Sequence, residues 1–216
     1  MIEFYGASGS PYVWRVWFAL EHKHAPYDLK MLSFSAGDLK TPAFVALNPR
    51  RKVPVVVDGD VVVYESAAIV EYLEDRFPPP SPPLLPAAVG ERAIARRLIR
   101  EIDEYLARAM ESMVEEVLFT RPERWNETAI GKVRGTFVDE LARFEGYAPT
   151  DGFFVGAAGA VDHALYPIIA LALRLERRKP DIAIKPAVGV KLAAWMRRVE
   201  SLPYFAKTYP PHWKET

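Results

Sequence analysis

The chain of 216 residues contains no cysteine. A disulfide, a thiolate metal ligand and a cysteine nucleophile are therefore excluded, and a reaction that needs a thiol must obtain it from another molecule. The chain also has no excess of charge, because 28 basic side chains balance 28 acidic ones. This balance argues against a general affinity for nucleic acid or for an anionic membrane.

Long hydrophobic runs and metal-binding patterns are lacking as well. No stretch approaches the roughly 18 consecutive apolar residues that a membrane-spanning helix needs. Met1 leads directly into a strand-like segment without the features of a secretory signal, so we predict a cytoplasmic protein. There is no glycine-rich nucleotide-binding motif, and no metal site is expected from the spacing of the four histidines, which are His22, His24, His163 and His212.

The first part of the chain alternates between strand and helix patterns. It predicts the order β-α-β-α-β-β-α, a thioredoxin-like domain of residues 1–77. Residues 78–88 form a proline-rich linker, in which the run PPPSPPLLP cannot be helical. Residues 89–216 have helical periodicity and few strand signals, which predicts an all-α bundle.

Two short motifs of the N-terminal part suggest a binding site. Pro54 stands at the mouth of a strand, where it cannot donate a ladder hydrogen bond, so we expect a special turn that leaves the backbone of Val53 free to pair with an extended ligand. Glu65 and Ser66 open a helix, where backbone N–H groups attract an anion and the carboxylate attracts an ammonium group. Together they suit the end of an α-amino acid, although an ordinary capped helix would have the same sequence.

Ser10 is the candidate catalytic residue. It precedes Pro11 at the start of the first helix, and a hydroxyl at a helix N-terminus stabilises a nearby anion. If the anion is the sulfur of a bound thiol, the pKa of the thiol falls and the nucleophilic thiolate accumulates. Ser10 is otherwise only a helix cap, and Ser8 is a rival hydroxyl, while Tyr5 and Tyr12 are weaker rivals.

The order of these motifs resembles that of the glutathione transferase family. The segment SPYVWRVWFAL is similar to the start of the serine-type classes, especially the plant tau and phi classes. The resemblance implies a thioredoxin-like domain followed by an all-α helical bundle, with glutathione as co-substrate and no metal. It also implies a homodimer. Asp162, in the family's buried capping motif, and Arg15 would serve the structure.

The resemblance gives each motif a role. Ser10 would activate the thiol of glutathione, and the other glutathione-binding positions would be Lys40, Lys52, Val53, Pro54 (the cis-proline of the family), Glu65 and Ser66. For either lysine, a solvated surface charge is the alternative. A hydrophobic electrophile would contact Tyr12, Tyr105, Met110 and Met113. For most of the last three, a place in the helical core is the default interpretation.

The expected reaction is conjugation of the glutathione thiolate to hydrophobic electrophiles. Two alternatives keep the same fold. One is a glutathione-dependent isomerase or peroxidase, and the other is a non-catalytic interaction module.

Overall fold

The computed structural model describes residues 1–214, which pack as two compact units. The first unit contains Met1–Leu85 together with the C-terminal segment from Pro203, and the second contains Pro86–Leu202. The division into domains 1–77 and 89–216 with a linker at 78–88 stays a prediction, because packing into compact units does not test which segments fold independently.

The first unit is built on a four-stranded mixed sheet of order β2-β1-β3-β4. Strand β1 is parallel to β2 and antiparallel to β3, which is antiparallel to β4. Around the sheet lie three helices in the predicted β-α-β-α-β-β-α order, so the thioredoxin-like fold is confirmed. The elements are β1 (Ile2–Ala7), α1 (Pro11–His22), β2 (Tyr27–Leu32), α2 (Pro42–Leu47), β3 (Val55–Asp58), β4 (Val61–Tyr64) and α3 (Ser66–Arg76).

Close packing of α1 on the sheet explains a glycine in β1. A Cβ atom at Gly6 would lie 2.6 Å from Cγ1 of Val13, so only glycine allows the helix to approach so closely. The strand side chain Phe4 is fully buried, as is Phe18 of α1. This packing fixes the first turn of α1 relative to the end of β1.

Hydrogen bonds fasten the end of the proline-rich segment to α3. The carboxylate of Glu74 accepts hydrogen bonds from the backbone N–H groups of Leu84 (2.9 Å) and Leu85 (3.3 Å). It also forms an ion pair with buried Lys23, whose ammonium donates to the carbonyl of Phe77 at 3.0 Å. The segment predicted as a linker is therefore held to α3 at Leu84 and Leu85.

The second unit is helical, as predicted. Its α-helices are α4 (Val89–Glu101), α5 (Ala107–Val117), α6 (Glu127–Tyr147), α7 (Ala160–Arg178) and α8 (Val190–Glu200), with a π-helical turn at Ile102–Leu106 between α4 and α5. Helix α7 is buried along most of its first half. A short helix, α9 (Phe205–Thr208), belongs to the C-terminal segment of the first unit.

Candidate functional site

Strand register brings the predicted motifs of the first unit to one end of the sheet. Tyr5 of β1 pairs with Val55 of β3, and Val55 pairs with Tyr64 of β4. The chain that follows β1, the turn that precedes β3 and the chain that follows β4 therefore leave the sheet at the same end. These three connections carry Ser10, Val53-Pro54 and Glu65-Ser66.

Ser10 is the N-cap of α1. Its Oγ accepts a hydrogen bond from the N–H of Val13 at 3.4 Å, and its own N–H donates to the carbonyl of Ala7 at 3.3 Å. Within the described residues 1–214, the hydroxyl of Ser10 donates to no acceptor. The half-buried hydroxyl can therefore donate to an anion that approaches the N-terminus of α1.

The Val53–Pro54 peptide bond is cis, and both residues are buried. No residue in the described part of the chain hydrogen-bonds to the backbone of Val53. Buried Asn48 shapes the preceding loop, because its Nδ2 donates to the carbonyl of Lys52 at 2.8 Å and its Oδ1 accepts from the N–H of Arg50 at 3.0 Å. Asn48 is not among the site residues predicted from the sequence.

Glu65 and Ser66 lie where α3 begins. Glu65 is exposed and has a backbone φ of 72°, in a region that favours glycine. Ser66 is buried at 8% exposure, and its Oγ accepts a hydrogen bond from Nη1 of Arg15 at 3.2 Å. The guanidinium of Arg15 also lies over the ring of Tyr12, 5.8 Å from its centroid. A buried cation thus supports the first turn of α3.

The rival residues Ser8, Tyr5 and Tyr12 each have a partner within the first unit. Ser8 Oγ lies 2.6 Å from Nδ1 of His212. Tyr5 donates to Oε2 of Glu3 at 2.9 Å, and burial, followed by this acidic neighbour, raises the pKa of Tyr5. The ring of Tyr12 packs against Arg15. The hydrogen bond between Ser8 and His212 had no signal in the sequence.

The two lysines predicted to bind a carboxylate are exposed. Lys40 ends a short 3-10 turn (Asp38–Lys40), and Lys52 immediately precedes Val53. Neither forms an ion pair with another residue of the described chain, residues 1–214. Their place in glutathione binding stays a prediction.

The remaining predicted substrate residues belong to the second unit. Tyr105 is 58% exposed, whereas Met110 and Met113 are 1% and 0% exposed and pack in the helical core. Their contact with a substrate stays a prediction.

Metal-binding clusters and membrane-spanning helices are both absent from residues 1–214. Among these residues, no group of three or more histidine, aspartate or glutamate side chains is arranged to hold a metal ion. No helix among them is long and apolar enough to cross a membrane.

Comparison with known proteins gives consistent matches. Residues 9–76 match the family model described as glutathione S-transferase, N-terminal domain. Glutathione S-transferase A of Pleuronectes platessa is 28% identical, over 97% of this chain and 91% of its own. A solved glutathione S-transferase from the Antarctic clam Laternula elliptica is 29% identical, with a TM-score of 0.79, and the match covers 100% of this chain and 94% of the other.

A third match was solved with glutathione bound. It is the theta class glutathione S-transferase of Xanthomonas axonopodis pv. citri, 25% identical with a TM-score of 0.80 over 96% of both chains. Other relatives carry zeta class names, so the matches span several classes. The serine-type tau or phi assignment stays a prediction.

Proposed function

We infer that this chain is a glutathione transferase, and we propose that it conjugates the thiolate of glutathione to hydrophobic electrophiles. The family match over residues 9–76 and the relatives that align along nearly the whole chain support the transferase. The reaction itself is supported by the chemistry of the site. The chain has no thiol of its own, so the nucleophilic sulfur must come from the bound tripeptide.

The observation that carries the proposal is the hydroxyl of Ser10. Its oxygen already accepts the N–H of Val13, and its proton has no acceptor among the described residues. Ser10 therefore donates to the sulfur of glutathione and stabilises the thiolate at the N-terminus of α1. The thiol proton leaves to solvent, and the thiolate then attacks the electrophile.

The energy required is within reach of such a site. A free thiol with a pKa of about 8.5 must shift by roughly two units to be mostly ionised at neutral pH, which corresponds to about 2–3 kcal/mol. One hydrogen bond to a charged group contributes about 1.5–3 kcal/mol, and a helix terminus adds about 0.3–1 kcal/mol. Ser10 on α1 offers both contributions.

The rest of the tripeptide follows the same end of the sheet. Glu65 binds the α-ammonium group of the γ-glutamyl end, and the N-terminus of α3 at Ser66 binds its carboxylate. The backbone of Val53, beside Pro54, has no hydrogen-bond partner among residues 1–214 and binds the cysteinyl residue as a strand would.

Other parts of the proposal concern groups farther from the sulfur. Lys40 and Lys52 attract the glycyl carboxylate. The residues predicted to contact the electrophile remain Tyr12, Tyr105, Met110 and Met113. A serine-type class, a homodimer and a cytoplasmic location remain part of the proposal, and the oligomeric state is measured by light scattering.

The test compares wild type with Ser10→Ala. Binding of glutathione is measured by calorimetry, and conjugation is measured with a generic aryl halide. We expect Ser10→Ala to bind glutathione nearly as well as wild type but to lose about 100-fold in kcat, because the hydroxyl acts on the thiolate.

A control separates the chemistry from the loss of a helix cap. Asn126→Ala removes a similar cap, since Oδ1 of Asn126 accepts the N–H of Ala129 at 3.1 Å at the start of α6. Both substitutions should cost about 1 kcal/mol of stability, whereas only Ser10→Ala should lose activity. Equal rates for Ser10→Ala and wild type would remove Ser10 from the mechanism. Absence of binding at millimolar glutathione would overturn the proposal as a whole.

A further inference from the structure

The C-terminal segment of the first unit reaches back to the loop that carries Ser10. Nδ1 of His212 lies 2.6 Å from Oγ of Ser8, a hydrogen bond between residues 204 positions apart. Ser8 stands two residues before Ser10, at the end of β1. The last turn of the described chain therefore holds the loop between β1 and α1.

Gly9 shows that the ring of His212 also shapes this loop by packing. Gly9 has a φ of +88°, and a Cβ atom there would lie 2.7 Å from Cε1 of His212 and 3.5 Å from Nε1 of Trp213. A positive φ of this size favours glycine even where a side chain would have room. Here the ring of His212 also occupies the space that a side chain would need. The loop conformation and the position of His212 thus depend on one another.

His212 is held in place by an aromatic cluster that joins the C-terminal segment to Trp14 of α1. Adjacent Trp213 is buried, and its ring meets the ring of Trp14 edge to face at 5.5 Å and that of Tyr209 at 6.0 Å. Nε1 of Trp14 donates to Oγ1 of buried Thr208 at 3.1 Å. These contacts anchor the segment to the helix whose N-cap is Ser10.

We propose that His212 is a positioning residue for the glutathione site. It bonds the hydroxyl of Ser8 and packs on Gly9, and so it fixes the loop in which Ser10 caps α1 and presents its hydroxyl to the thiolate. This inference rests on the proposed function. Because His212 acts through the loop, it contributes to the ionisation of bound glutathione rather than to its capture at Glu65, Ser66 and Val53.

The principal variant is His212→Phe, which keeps a flat ring over Gly9 but removes the hydrogen bond to Ser8. We expect kcat to fall about 5- to 20-fold with little change in the KM for glutathione, because misplacing a catalytic group by a fraction of an ångström has an effect of this size. The pKa of bound glutathione, followed by the ultraviolet absorbance of the thiolate, should rise. His212→Asn, which restores a polar group near Oγ of Ser8, should recover much of the loss.

Ser8→Ala removes the other partner of the same hydrogen bond. It should lower kcat by a similar factor, and the double variant with His212→Phe should be no worse than either single variant, since both break one interaction. Lys214→Met, a change at an exposed neighbour in the same segment, is the control and should behave as wild type.

A readout independent of activity tests the positioning directly. The N–H of Ser10 donates to the carbonyl of Ala7, and its hydrogen exchange in unliganded protein should be faster in His212→Phe and in Ser8→Ala than in wild type. The inference is wrong if wild type is active and His212→Phe has the same kcat, the same thiolate pKa and the same hydrogen exchange at Ser10. It is also wrong if the losses of kcat in His212→Phe and Ser8→Ala add in the double variant. An inactive wild type would instead overturn the proposed function, and the exchange comparison would still decide the role of His212.

Discussion

Nη1 of Arg15 donates a hydrogen bond to Oγ of Ser66 at 3.2 Å, which joins helix α1 to the first residue of α3. Both side chains are buried, with exposures of 2% for Arg15 and 8% for Ser66. The two helices whose N-termini face the proposed ligand are thus connected through one buried contact. Arg15, expected from the sequence to serve the structure, also places a positive charge behind the part of the site that binds the γ-glutamyl carboxylate.

Replacing Arg15 by methionine should weaken both the fold and the site. The hydroxyl of Ser66 loses its donor, and the cation over the ring of Tyr12 is removed. We expect the free energy of unfolding to fall by about 2–4 kcal/mol and the affinity for glutathione to fall about tenfold or more. Urea denaturation and calorimetry measure the two effects.

The matched control for this substitution is Arg100→Met, because Arg100 is an exposed residue of α4. It should change stability by less than about 0.5 kcal/mol. If Arg15→Met were as stable as this control and bound glutathione as wild type does, the link between α1 and α3 would have no part in the site.

Glu65 allows stability and binding to be separated. Its φ of 72° is costly for a residue with a side chain, by about 1–2 kcal/mol, whereas glycine adopts it freely. We expect Glu65→Gly to unfold at the same temperature as wild type or higher, while its affinity for glutathione falls about tenfold or more because the carboxylate is lost. Thermal unfolding and calorimetric titration give the two values.

Glu65→Gln is the companion variant. It keeps the strained backbone and removes only the charge, so its affinity should fall to a similar extent without the gain in stability. If both variants bound glutathione as wild type does, Glu65 would not contact the ammonium group.

Local patterns predicted the fold because each element carries its own signal. Ser10 and Pro11 mark a helix start, and the valines around Asp58 and Gly59 mark a hairpin. In the structure, the register of Tyr5, Val55 and Tyr64 brings Ser10, Val53-Pro54 and Glu65-Ser66 to one end of the sheet.

Contacts between distant residues had no such signal. Nothing near Arg15 in the sequence indicates Ser66 as its partner, and nothing near His212 indicates its contact with Ser8. Such pairs arise only when packing brings separate elements together. The polar contacts that hold the site residues in place were therefore less predictable than the residues proposed to bind the ligand.

His22 should make the first unit sensitive to mild acid. Its Nε2 lies 3.2 Å from the carbonyl of Pro83, which can only accept, so Nε2 carries a proton and Nδ1 accepts from the hydroxyl of Tyr204 at 3.0 Å. Burial lowers the pKa of His22. Below the pKa of about 6.5 that His22 has in the unfolded chain, the unfolded chain binds a proton that the folded chain does not. Stability should therefore fall as the pH drops below that value.

The measurement is the difference in unfolding free energy between wild type and His22→Asn, because other titrating groups then cancel. The advantage of wild type should be largest near pH 7.5 and should shrink by pH 5.5. A difference that is constant over this interval would show that His22 has the same pKa in both states.

Asp162 should give the helical unit the opposite dependence on pH. Its carboxylate accepts hydrogen bonds from Nε1 of Trp195 (2.7 Å) and from the N–H groups of Gly159 (3.0 Å) and Phe154 (3.2 Å). Burial nevertheless raises the pKa of Asp162 to about 6. Between the unfolded value of about 3.9 and this folded value, the folded chain retains a proton that the unfolded chain has released.

The contribution of Asp162 to the free energy of unfolding is therefore greatest at low pH. It declines as the pH rises from the unfolded pKa to the folded pKa of Asp162 and is constant above the folded pKa. The decline corresponds to about two pKa units, or roughly 3 kcal/mol. Asparagine has a shape similar to that of aspartate but does not titrate. Because its amide NH2 faces hydrogen-bond donors, Asp162→Asn lowers the free energy of unfolding by an amount that does not depend on pH. Urea unfolding of both proteins at pH 4, 5.5 and 7 should show the advantage of wild type shrinking as the pH rises. An advantage that grows over this range would mean that the three hydrogen bonds outweigh burial and keep the carboxylate ionised in the folded chain.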